Sequence, residues 1–226
     1  IAKYLNKNCL ETVKFSSTYN GNMNNGFKTI KIKFGINNID DEINCLQNLY
    51  KQYNSQVQFR IDANRAYSID DFLYLKDKLT NYNIQYIEEP LSELNITSLE
   101  KIKKILPIPI AIDESIFTDG YQKLVESGMI DYVILKASLY GSIKNIFILC
   151  RYLNKYKVKI ILSSGLHTKI GNLSNIHLAA ALNLSGDHGL NNYPFFEYNH
   201  KKMPYNSNDN SIMLKNINGL GVSWDD

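Results

Sequence analysis

The stretch YIEEPL (residues 86–91) ends an apolar run with two adjacent carboxylates, Glu88 and Glu89, and then stops at Pro90. The run is short and rich in Ile and Tyr, which is typical of a strand. A buried strand that ends in negative charge needs a partner for that charge. The same pattern, an apolar run followed by a polar residue, recurs along the chain and predicts the fold.

Seven apolar runs are predicted to be strands because each is short and rich in Ile, Val, Tyr and Phe. They cover residues 12–15, 29–34, 57–61, 84–87, 108–112, 132–135 and 159–162. Several of them are nearly continuous rather than alternating, as expected of parallel strands that are covered on both faces.

Helices are predicted between the strands wherever apolar residues recur at steps of three and four. The stripes are Ile43, Leu46, Tyr50 and Tyr53; Phe72, Leu75 and Leu79; Leu99, Ile102 and Leu106; Ile143, Ile146, Phe147, Cys150 and Leu153; and Leu173, Ile176 and Ala180. Ser68 and Asp71 form a capping-box variant at the start of the second stripe. Alternating strands and helices predict right-handed crossovers and a parallel sheet.

The spacing of the polar residues at the strand ends distinguishes between sheet architectures. These residues are Lys33, Asp62, Glu88, Asp113, Lys136 and Ser163, at intervals of 29, 26, 25, 23 and 27 residues. An even repeat of this kind favours an α/β fold of the TIM (β/α) barrel type, in which the carboxyl ends of the strands converge on the active site. A doubly wound open sheet is the alternative, but its usual glycine-rich phosphate loop after the first strand is missing here.

Composition limits the classes of partner. The chain has 226 residues and a net charge of +3 without blocks of like charge, so nothing indicates a nucleic-acid partner. No apolar run approaches the ~18 residues of a membrane span. Three scattered cysteines without CxxC spacing predict neither disulfides nor a zinc site, which fits a bacterial cytoplasm or a plastid stroma. The oligomeric state stays open.

Asp62, Glu88 and Asp113 end three successive predicted strands, so a barrel would bring their carboxylates into one small space. Like charges that close need a counter-charge. A hard divalent cation with oxygen ligands provides one, and carboxylates with water and substrate oxygens are typical of Mg²⁺. Glu89 and Glu114 are each either a further ligand or a neighbour.

Two lysine features flank the acids. In KTIKIKFG, Lys31 and Lys33 lie on the same face of one strand because side chains two apart point the same way. Lys136 follows the apolar run YVIL and lies either at the rim or inside the barrel. Burial and cationic neighbours lower a lysine pKa, which would make a lysine a usable general base near neutral pH.

The motifs KIKFG, RIDANRAY, YIEEPL, AIDESI and VILKAS, in this order and spacing, resemble the enolase superfamily, and within it the muconate-cycloisomerase-like branch. The tail INGLGVSWDD is similar to the closing segment of that family. The resemblance covers essentially the whole chain. It implies a modified TIM barrel and Mg²⁺, with Mn²⁺ as a possible substitute, bound by Asp62, Glu88 and Asp113.

The resemblance also implies roles for individual residues. Lys33 would be the general base and then the general acid, and Lys136 would stabilise an enediolate-like intermediate. Lys31 would support Lys33. The remaining residues near the site would be Arg60, Asn64 and Glu114, with Ser163, Ser164 and Gly165 where the family binds a substrate carboxylate through backbone amides.

Within the branch, RIDANRAY, DESIF, SLYGS and DHGL are most similar to the o-succinylbenzoate synthase family of menaquinone and phylloquinone synthesis. This resemblance implies a lyase that dehydrates succinyl-hydroxycyclohexadiene carboxylate. The alternatives are a dipeptide epimerase, an N-acylamino-acid racemase and a cycloisomerase. A dipeptide epimerase is expected to carry a second acid two positions after Asp187, where this chain has Gly189.

The family normally has an amino-terminal capping domain, and because the first predicted strand already begins near Thr12, we expect this domain to be largely absent from the given chain, which is either a fragment or a barrel with an open site. We therefore expect a barrel domain over residues 1–204 and, over 205–226, a closing segment that would pack on such a cap. His167 stands where many relatives have Glu, and we interpret it, like His177 and His188, as structural; His200 is expected to be solvated.

Two hypotheses from other classes remain. A non-catalytic barrel would act only as an assembly partner, although a scaffold has no need of the acids and lysines described above. A generic metal-assisted lyase or aldolase would use Lys136 to form a Schiff base.

Overall fold

The computed structural model describes residues 1–21, 26–53, 56–165, 167–191, 205–206, 210–214 and 218–221. Seven parallel strands form one sheet in which spatial order follows chain order. The strands are β2 (Ser17–Thr18), β3 (Thr29–Lys33), β4 (Gln58–Asp62), β5 (Ile84–Glu88), β6 (Ile110–Ile112), β7 (Tyr132–Leu135) and β8 (Lys159–Leu162).

A second sheet closes the first one into a ring. It contains β1 (Thr12–Phe15), β9 (Asp187–His188), β10 (Tyr205–Asn206) and β11 (Ser211–Met213), in the order β10-β11-β1-β9. β1 continues through Ser16 into β2, and β1 pairs in parallel with β9. A parallel bridge between Ser163 and Gly189 then joins β8 to β9.

The eight strand positions therefore form a closed barrel, with β1 and β2 sharing one position, and the predicted barrel is confirmed. The Gly189 N–H donates to the Leu162 carbonyl at 2.8 Å, and the Ser16 N–H donates to the His188 carbonyl at 2.8 Å. The open sheet is wrong because such a sheet would leave these edges unpaired.

Helices cover the outside of the barrel. They are α1 (Ala2–Leu5), α2 (Ile39–Gln52), α3 (Ile69–Leu79), α4 (Ile96–Ile105), α5 (Tyr121–Glu126), α6 (Ile143–Lys155) and α7 (Lys169–Ala181), with 3-10 helices at Glu114–Phe117 and Ala137–Tyr140. Polar side chains start five of them by accepting a hydrogen bond from the backbone three residues on: Asn38, Ser68, Asn95, Ser142 and Thr168. The predicted capping box of Ser68 and Asp71 is confirmed.

The predicted strands and helices agree with the observed ones to within a few residues at each end. The helical stripes face inward, as shown by Leu46, Phe72, Leu75, Leu99 and Leu153, which are all at most 1% exposed. Each such side chain contributes ~1.5–3 kcal/mol when it is buried. Ile143 is the exception: at the start of α6 it is 49% exposed, so its place in the predicted stripe is wrong. The short helices α1 and α5, both 3-10 helices and the two-residue β2 were not predicted, because elements this short carry no periodic pattern.

Inside the barrel, a separate apolar cluster fills the space between the strands. It consists of Tyr86, Ala111, Tyr132, Ile134 and Ile161. The rings of Tyr86 and Tyr132 pack with their centroids 4.8 Å apart. This cluster supports the floor of the site described next.

The predicted domain boundary falls between residue 204, which is outside the described residues, and β10, and it stays a prediction. Beyond it, β10 pairs with β11, and β11 pairs antiparallel with β1 through Val13 and Ile212. His200 and most of the INGLGVSWDD tail also lie outside the described residues.

Candidate active site

The predicted site residues lie at one end of the barrel. Lys33 in β3 is the register partner of Asp62 in β4, and Asp62 is the partner of Glu88 in β5. Asp113 and Lys136 follow directly after β6 and β7. The structure thus brings these five side chains to the carboxyl-end rim, where barrel enzymes bind substrate.

The two predicted catalytic lysines come from opposite sides of this rim. β3, which carries Lys33, and β7, which precedes Lys136, are four positions apart in a ring of eight strand positions. Lys33 is exposed at the end of its strand. A substrate held between the two strands can therefore be approached from two faces.

Lys31 lies two residues before Lys33 and pairs with two of the acids. Its Nζ lies 2.7 Å from Asp62 Oδ2 and 2.9 Å from Glu88 Oε1. Burial lowers the pKa of Lys31, but the carboxylates of Glu88 and Asp62 outweigh that effect and raise the pKa well above its usual range. Lys31 is therefore a fixed positive charge at neutral pH, in keeping with the supporting role implied for it.

Glu88 is the most deeply buried acid of the rim, at 1% exposure. Its Oε1 accepts from Lys31, but its Oε2 is buried without a hydrogen-bond partner among the described residues. Burial raises the pKa of Glu88 to about 7, against the opposing effect of Lys31. One ammonium group, that of Lys31, serves both the Asp62 and the Glu88 carboxyl groups.

Asp113 forms a short hydrogen-bonded ion pair with Lys136. Burial raises the pKa of Asp113, although Lys136 opposes the shift. Burial by itself would lower the pKa of Lys136, but the hydrogen bond and charge of Asp113 raise it overall. The expected lowering of a lysine pKa is therefore wrong for Lys136, because its neighbours are acids rather than cations.

The remaining supporting residues differ in how close they lie to the rim. Asn64 has a left-handed backbone, and its N–H donates to Asp62 Oδ1 at 3.3 Å. Glu114 has an exposed side chain 3.8 Å from Lys136. Arg60, by contrast, is 2% exposed inside the barrel, where it donates to Gln85 and Ser16 and stacks on Tyr86.

A cavity of about 320 Å³ opens beside these groups, and its walls include Lys31, Glu88, Arg60, Ser163 and Ser164. Its size is that of a small-molecule site. The N–H of Ser163 donates to the Leu135 carbonyl, and the N–H of Ser164 donates to the Gly189 carbonyl. These two amides close the barrel, so the implied substrate contact through them is not available in this structure; Gly165 lies exposed beside them.

Two buried acids near the rim have roles that sequence reasoning missed. Glu42 accepts hydrogen bonds from the N–H groups of Ile36 and Asn37 and from the Tyr67 hydroxyl, which fixes the loop after β3. Glu89 accepts from the loop that carries Asp113. The only sequence signal for Glu89 was its place beside Glu88, which could not separate ligand from neighbour.

The fit of the rim to a divalent cation depends on the arrangement of its acids and on the lysines that contact them. In the described part of the chain, no group of three or more His, Cys, Asp or Glu side chains is arranged as a metal site. The lysines lie against the carboxylates instead: Lys31 on Asp62 and Glu88, and Lys136 on Asp113. The unpartnered, buried oxygen of Glu88 nevertheless suits a hard cation with oxygen ligands.

The three described histidines form hydrogen-bond contacts within the protein framework. His188 accepts from the Leu162 N–H through Nδ1, and its Nε2 faces the Leu184 carbonyl at 3.1 Å. Burial lowers the pKa of His188 to about 4. His177 Nδ1 accepts from the Ala2 N–H, and His167 Nδ1 contacts the Asn175 amide at 3.1 Å.

Comparison with known proteins assigns the class. Residues 18–226 match the family described as "Enolase C-terminal domain-like". The chain belongs to this family, in agreement with the resemblance to the enolase superfamily.

Curated relatives are similar over part of their length. An L-Ala-D/L-Glu epimerase of Clostridium acetobutylicum is 28% identical over 159 residues, which are 69% of this chain and 44% of that protein. An arabinonate dehydratase of Saccharolobus solfataricus is 27% identical over 183 residues, 80% of this chain and 48% of that protein. The chain thus spans less than half the length of these relatives.

Solved structures confirm the fold. A dipeptide epimerase from Enterococcus faecalis V583 superimposes with a TM-score of 0.83 at 22% identity, covering 98% of this chain and 68% of that one. A muconate cycloisomerase from Pseudomonas fluorescens gives 0.83 at 20% identity, with 98% and 66% covered. About a third of each neighbour has no counterpart here. In the residues that the structure describes, no helix has the length and hydropathy to cross a membrane.

Proposed function

We propose that this chain is the barrel of an enzyme that removes the α-proton of a small carboxylate substrate. The observation that supports this proposal is that Lys33 and Lys136 lie on opposite sides of the rim. The same rim carries the three acids Asp62, Glu88 and Asp113. An α-proton next to a carboxylate is only weakly acidic, so its removal needs both a base and positive charge near the developing anion.

Each group has a part in this reaction. Lys33, exposed at the end of β3, takes the proton at its Nζ in the neutral amine form. Lys136 lies across the rim and stabilises negative charge as it develops. A divalent cation such as Mg²⁺, held by Asp62, Glu88 and Asp113, would supply further positive charge to the substrate carboxylate. Lys31 holds Asp62 and Glu88 in place.

Epimerisation is the reaction that the relatives favour. Several curated proteins similar to this chain are named as epimerases of dipeptides, at 26–29% identity. The two-sided geometry supports the same reaction, because one lysine can remove a proton from one face of the α-carbon and the other can return it to the opposite face. Dipeptides and N-acyl amino acids are therefore the first substrate class.

Dehydration to o-succinylbenzoate is the second candidate, and an observation at β9 supports it. The Asp187 carboxylate accepts a hydrogen bond from Thr29 Oγ1 at 2.6 Å, and Gly189 has no side chain. Among the described residues of β9 and its end, no second acid is available for a substrate ammonium group. A substrate without an ammonium group, such as succinyl-hydroxycyclohexadiene carboxylate, needs none.

One assay with two substrate classes separates the candidates. The chain is incubated with Mg²⁺ and either L-Ala-L-Glu or an N-acyl amino acid, and chiral chromatography follows the epimer. In parallel, ultraviolet absorbance follows aromatisation of succinyl-hydroxycyclohexadiene carboxylate. Epimer formation without aromatisation supports the first candidate, and the reverse supports the second. Turnover that persists in Lys33→Ala would contradict both.

The Schiff-base hypothesis is less well supported. It requires a neutral amine at Lys136, whereas the Asp113 carboxylate raises the pKa of this lysine. Borohydride reduction with a carbonyl substrate checks this directly: a covalent adduct at Lys136 by mass spectrometry would favour that hypothesis. Mg²⁺ binding without turnover of any substrate would favour the non-catalytic barrel.

A further inference from the structure

The loops after β4, β5 and β6 are tied together immediately beyond the three acids of the rim. Arg65 lies three residues after Asp62, and Ser115 lies two residues after Asp113. Glu89, which directly follows Glu88, contacts both of them. The Glu89 carboxylate therefore contacts both neighbouring loops, and the proposed reaction does not use it.

Glu89 is 1% exposed and is surrounded by donors. Its Oε1 accepts from the backbone N–H groups of Asp113 and Ser115, both at 2.8 Å. Its Oε2 accepts from Ser115 Oγ at 2.7 Å and lies 3.4 Å from Arg65 Nε. Arg65 Nη2 also donates to Ser115 Oγ at 3.2 Å. Hydrogen bonds to a buried carboxylate are roughly twice as strong as neutral ones, so this network is rigid.

The backbone around the network needs such support. Asn64, Arg65 and Glu89 have φ values of 46°, 61° and 44°, in the left-handed region that non-glycine residues rarely adopt. Each such residue is strained by about 1–3 kcal/mol and persists only where its surroundings hold it. The Glu89 carboxylate, together with the hydrogen bond from the Arg65 N–H to the Glu89 carbonyl at 2.7 Å, provides this constraint.

We propose that Glu89, with Arg65 and Ser115, is a positioning network that sets the separation of Asp62, Glu88 and Asp113 and so determines the affinity of the rim for a divalent cation. The inference rests on the proposed metal role of those three acids. Glu89 itself is not a ligand, because both of its oxygens already accept hydrogen bonds and its backbone turns away from the strand after Glu88. This resolves the choice between ligand and neighbour that the sequence left open.

The test is the affinity for Mn²⁺, measured by electron paramagnetic resonance and by calorimetry on the full 226-residue chain. Glu89→Ala removes the network and is expected to weaken Mn²⁺ binding about 10–100-fold, the usual effect of losing a group that orients metal ligands. Glu89→Gln keeps one accepting oxygen for the two N–H groups and is expected to recover most of the affinity. Ser115→Ala should fall between them.

Two further variants make the result interpretable. Glu100→Gln removes an exposed carboxylate of α4 and controls for the loss of one negative charge. Asp62→Asn tests the proposed metal site itself. The unfolding temperature of every variant is measured without metal, because a purely structural role for Glu89 would lower that temperature without changing Mn²⁺ affinity in the folded protein. If Glu89→Ala does not fold, the Mn²⁺ affinities of Glu89→Gln and Ser115→Ala are compared with that of wild type instead.

The outcomes are distinct. Weaker Mn²⁺ binding in Glu89→Ala and Ser115→Ala, with Glu100→Gln unchanged, supports the network. Normal binding in the Glu89 and Ser115 variants with weak binding in Asp62→Asn overturns the network but keeps the metal site. Equal binding in wild type and Asp62→Asn, or no binding in wild type, overturns the proposed metal site and the network with it.

Discussion

Two buried polar side chains of the same barrel, His188 in β9 and Glu88 in β5, differ in how they are satisfied. Both ring nitrogens of His188 have backbone partners, and the residue is 0% exposed. Glu88 is 1% exposed, yet its Oε2 has no partner among the described residues. A fully satisfied polar group is typical of the framework, whereas an unsatisfied one beside a cavity indicates a place for substrate or cation.

The largest effect of a substitution is expected at the rim around Glu88, and it is an effect on the reaction rate. Lys33→Ala should reduce the rate of α-proton removal by about 10²–10⁴-fold, the usual contribution of a positioned base. The rate is measured with whichever substrate the two-class assay identifies. The unfolding temperature of Lys33→Ala should match wild type, since Lys33 is exposed. A rate within twofold of wild type would remove Lys33 from the reaction.

Lys31→Met should destabilise the chain when no metal is added. Removing Lys31 leaves the carboxylates of Asp62 and Glu88 buried without a counter-charge, and breaking a buried pair in this way costs about 3–5 kcal/mol. Urea unfolding at pH 7 measures the loss. Lys28→Met, at an exposed lysine of the same segment, is the control. Equal stability of the two variants would contradict the claim that Lys31 neutralises the buried carboxylates of Asp62 and Glu88.

His188 should make stability depend on pH. Its pKa is about 4 in the fold and 6.5 in its usual range, so the unfolded chain binds the extra proton between these values. Stability contributed by neutral His188 is complete above pH 6.5 and is lost as pH falls toward 4, by up to about 1.4 kcal/mol per pH unit.

Glu88 has the opposite effect in an overlapping window. Its pKa rises from 4.5 to about 7 in the fold, so protonation of Glu88 adds stability as pH falls below 7.

The contribution of His188 is measured as the difference in the free energy of unfolding between wild type and His188→Asn, by urea unfolding at pH 7 and at pH 5. A difference that does not change with pH would show that His188 does not titrate between the two states.

The smallest effect is expected at the surface. Lys103 pairs with Asp131 at 2.8 Å, but both side chains are partly exposed. Lys103→Met should change the free energy of unfolding by only ~0.2–1 kcal/mol. It is a matched partner for Lys31→Met, since each replaces a paired lysine by the same side chain. Equal losses in the two variants would show that burial is not what separates the rim from the surface.

The sequence predicted the parts of the fold that carry a pattern. Strand ends were visible because a charged residue interrupts an apolar run, as at Glu88, and helix starts were visible through caps such as Ser68. The barrel closure was harder to predict, since it depends on the two-residue β9 and on one bridge between Ser163 and Gly189. Elements this short cannot be separated from loops by periodicity.

Within the site, residue types and spacing were predictable, but contacts were not. Asp113 and Lys136 are 23 residues apart, and only the fold brings them together, which is why the direction of the Lys136 pKa shift was predicted wrongly. The role of Glu89 depends on its left-handed backbone, which turns its carboxylate toward the next loop. A strand pattern alone would place it on the side opposite Glu88 without naming its partners.

The most direct test of the account is solvent deuterium incorporation at the α-carbon of the substrate. The wild-type chain is incubated in heavy water with Mg²⁺ and with each substrate class, and mass spectrometry measures the label before any net conversion is required. For a dipeptide or an N-acyl amino acid, the account predicts label at the α-carbon. For the cyclohexadiene substrate, whose α-carbon loses its hydrogen on dehydration, it predicts aromatisation instead. Either signal is lost when a chelator is added and in Lys33→Ala. A folded chain that binds Mg²⁺ and gives neither signal, or gives one equally without Lys33, would contradict the account.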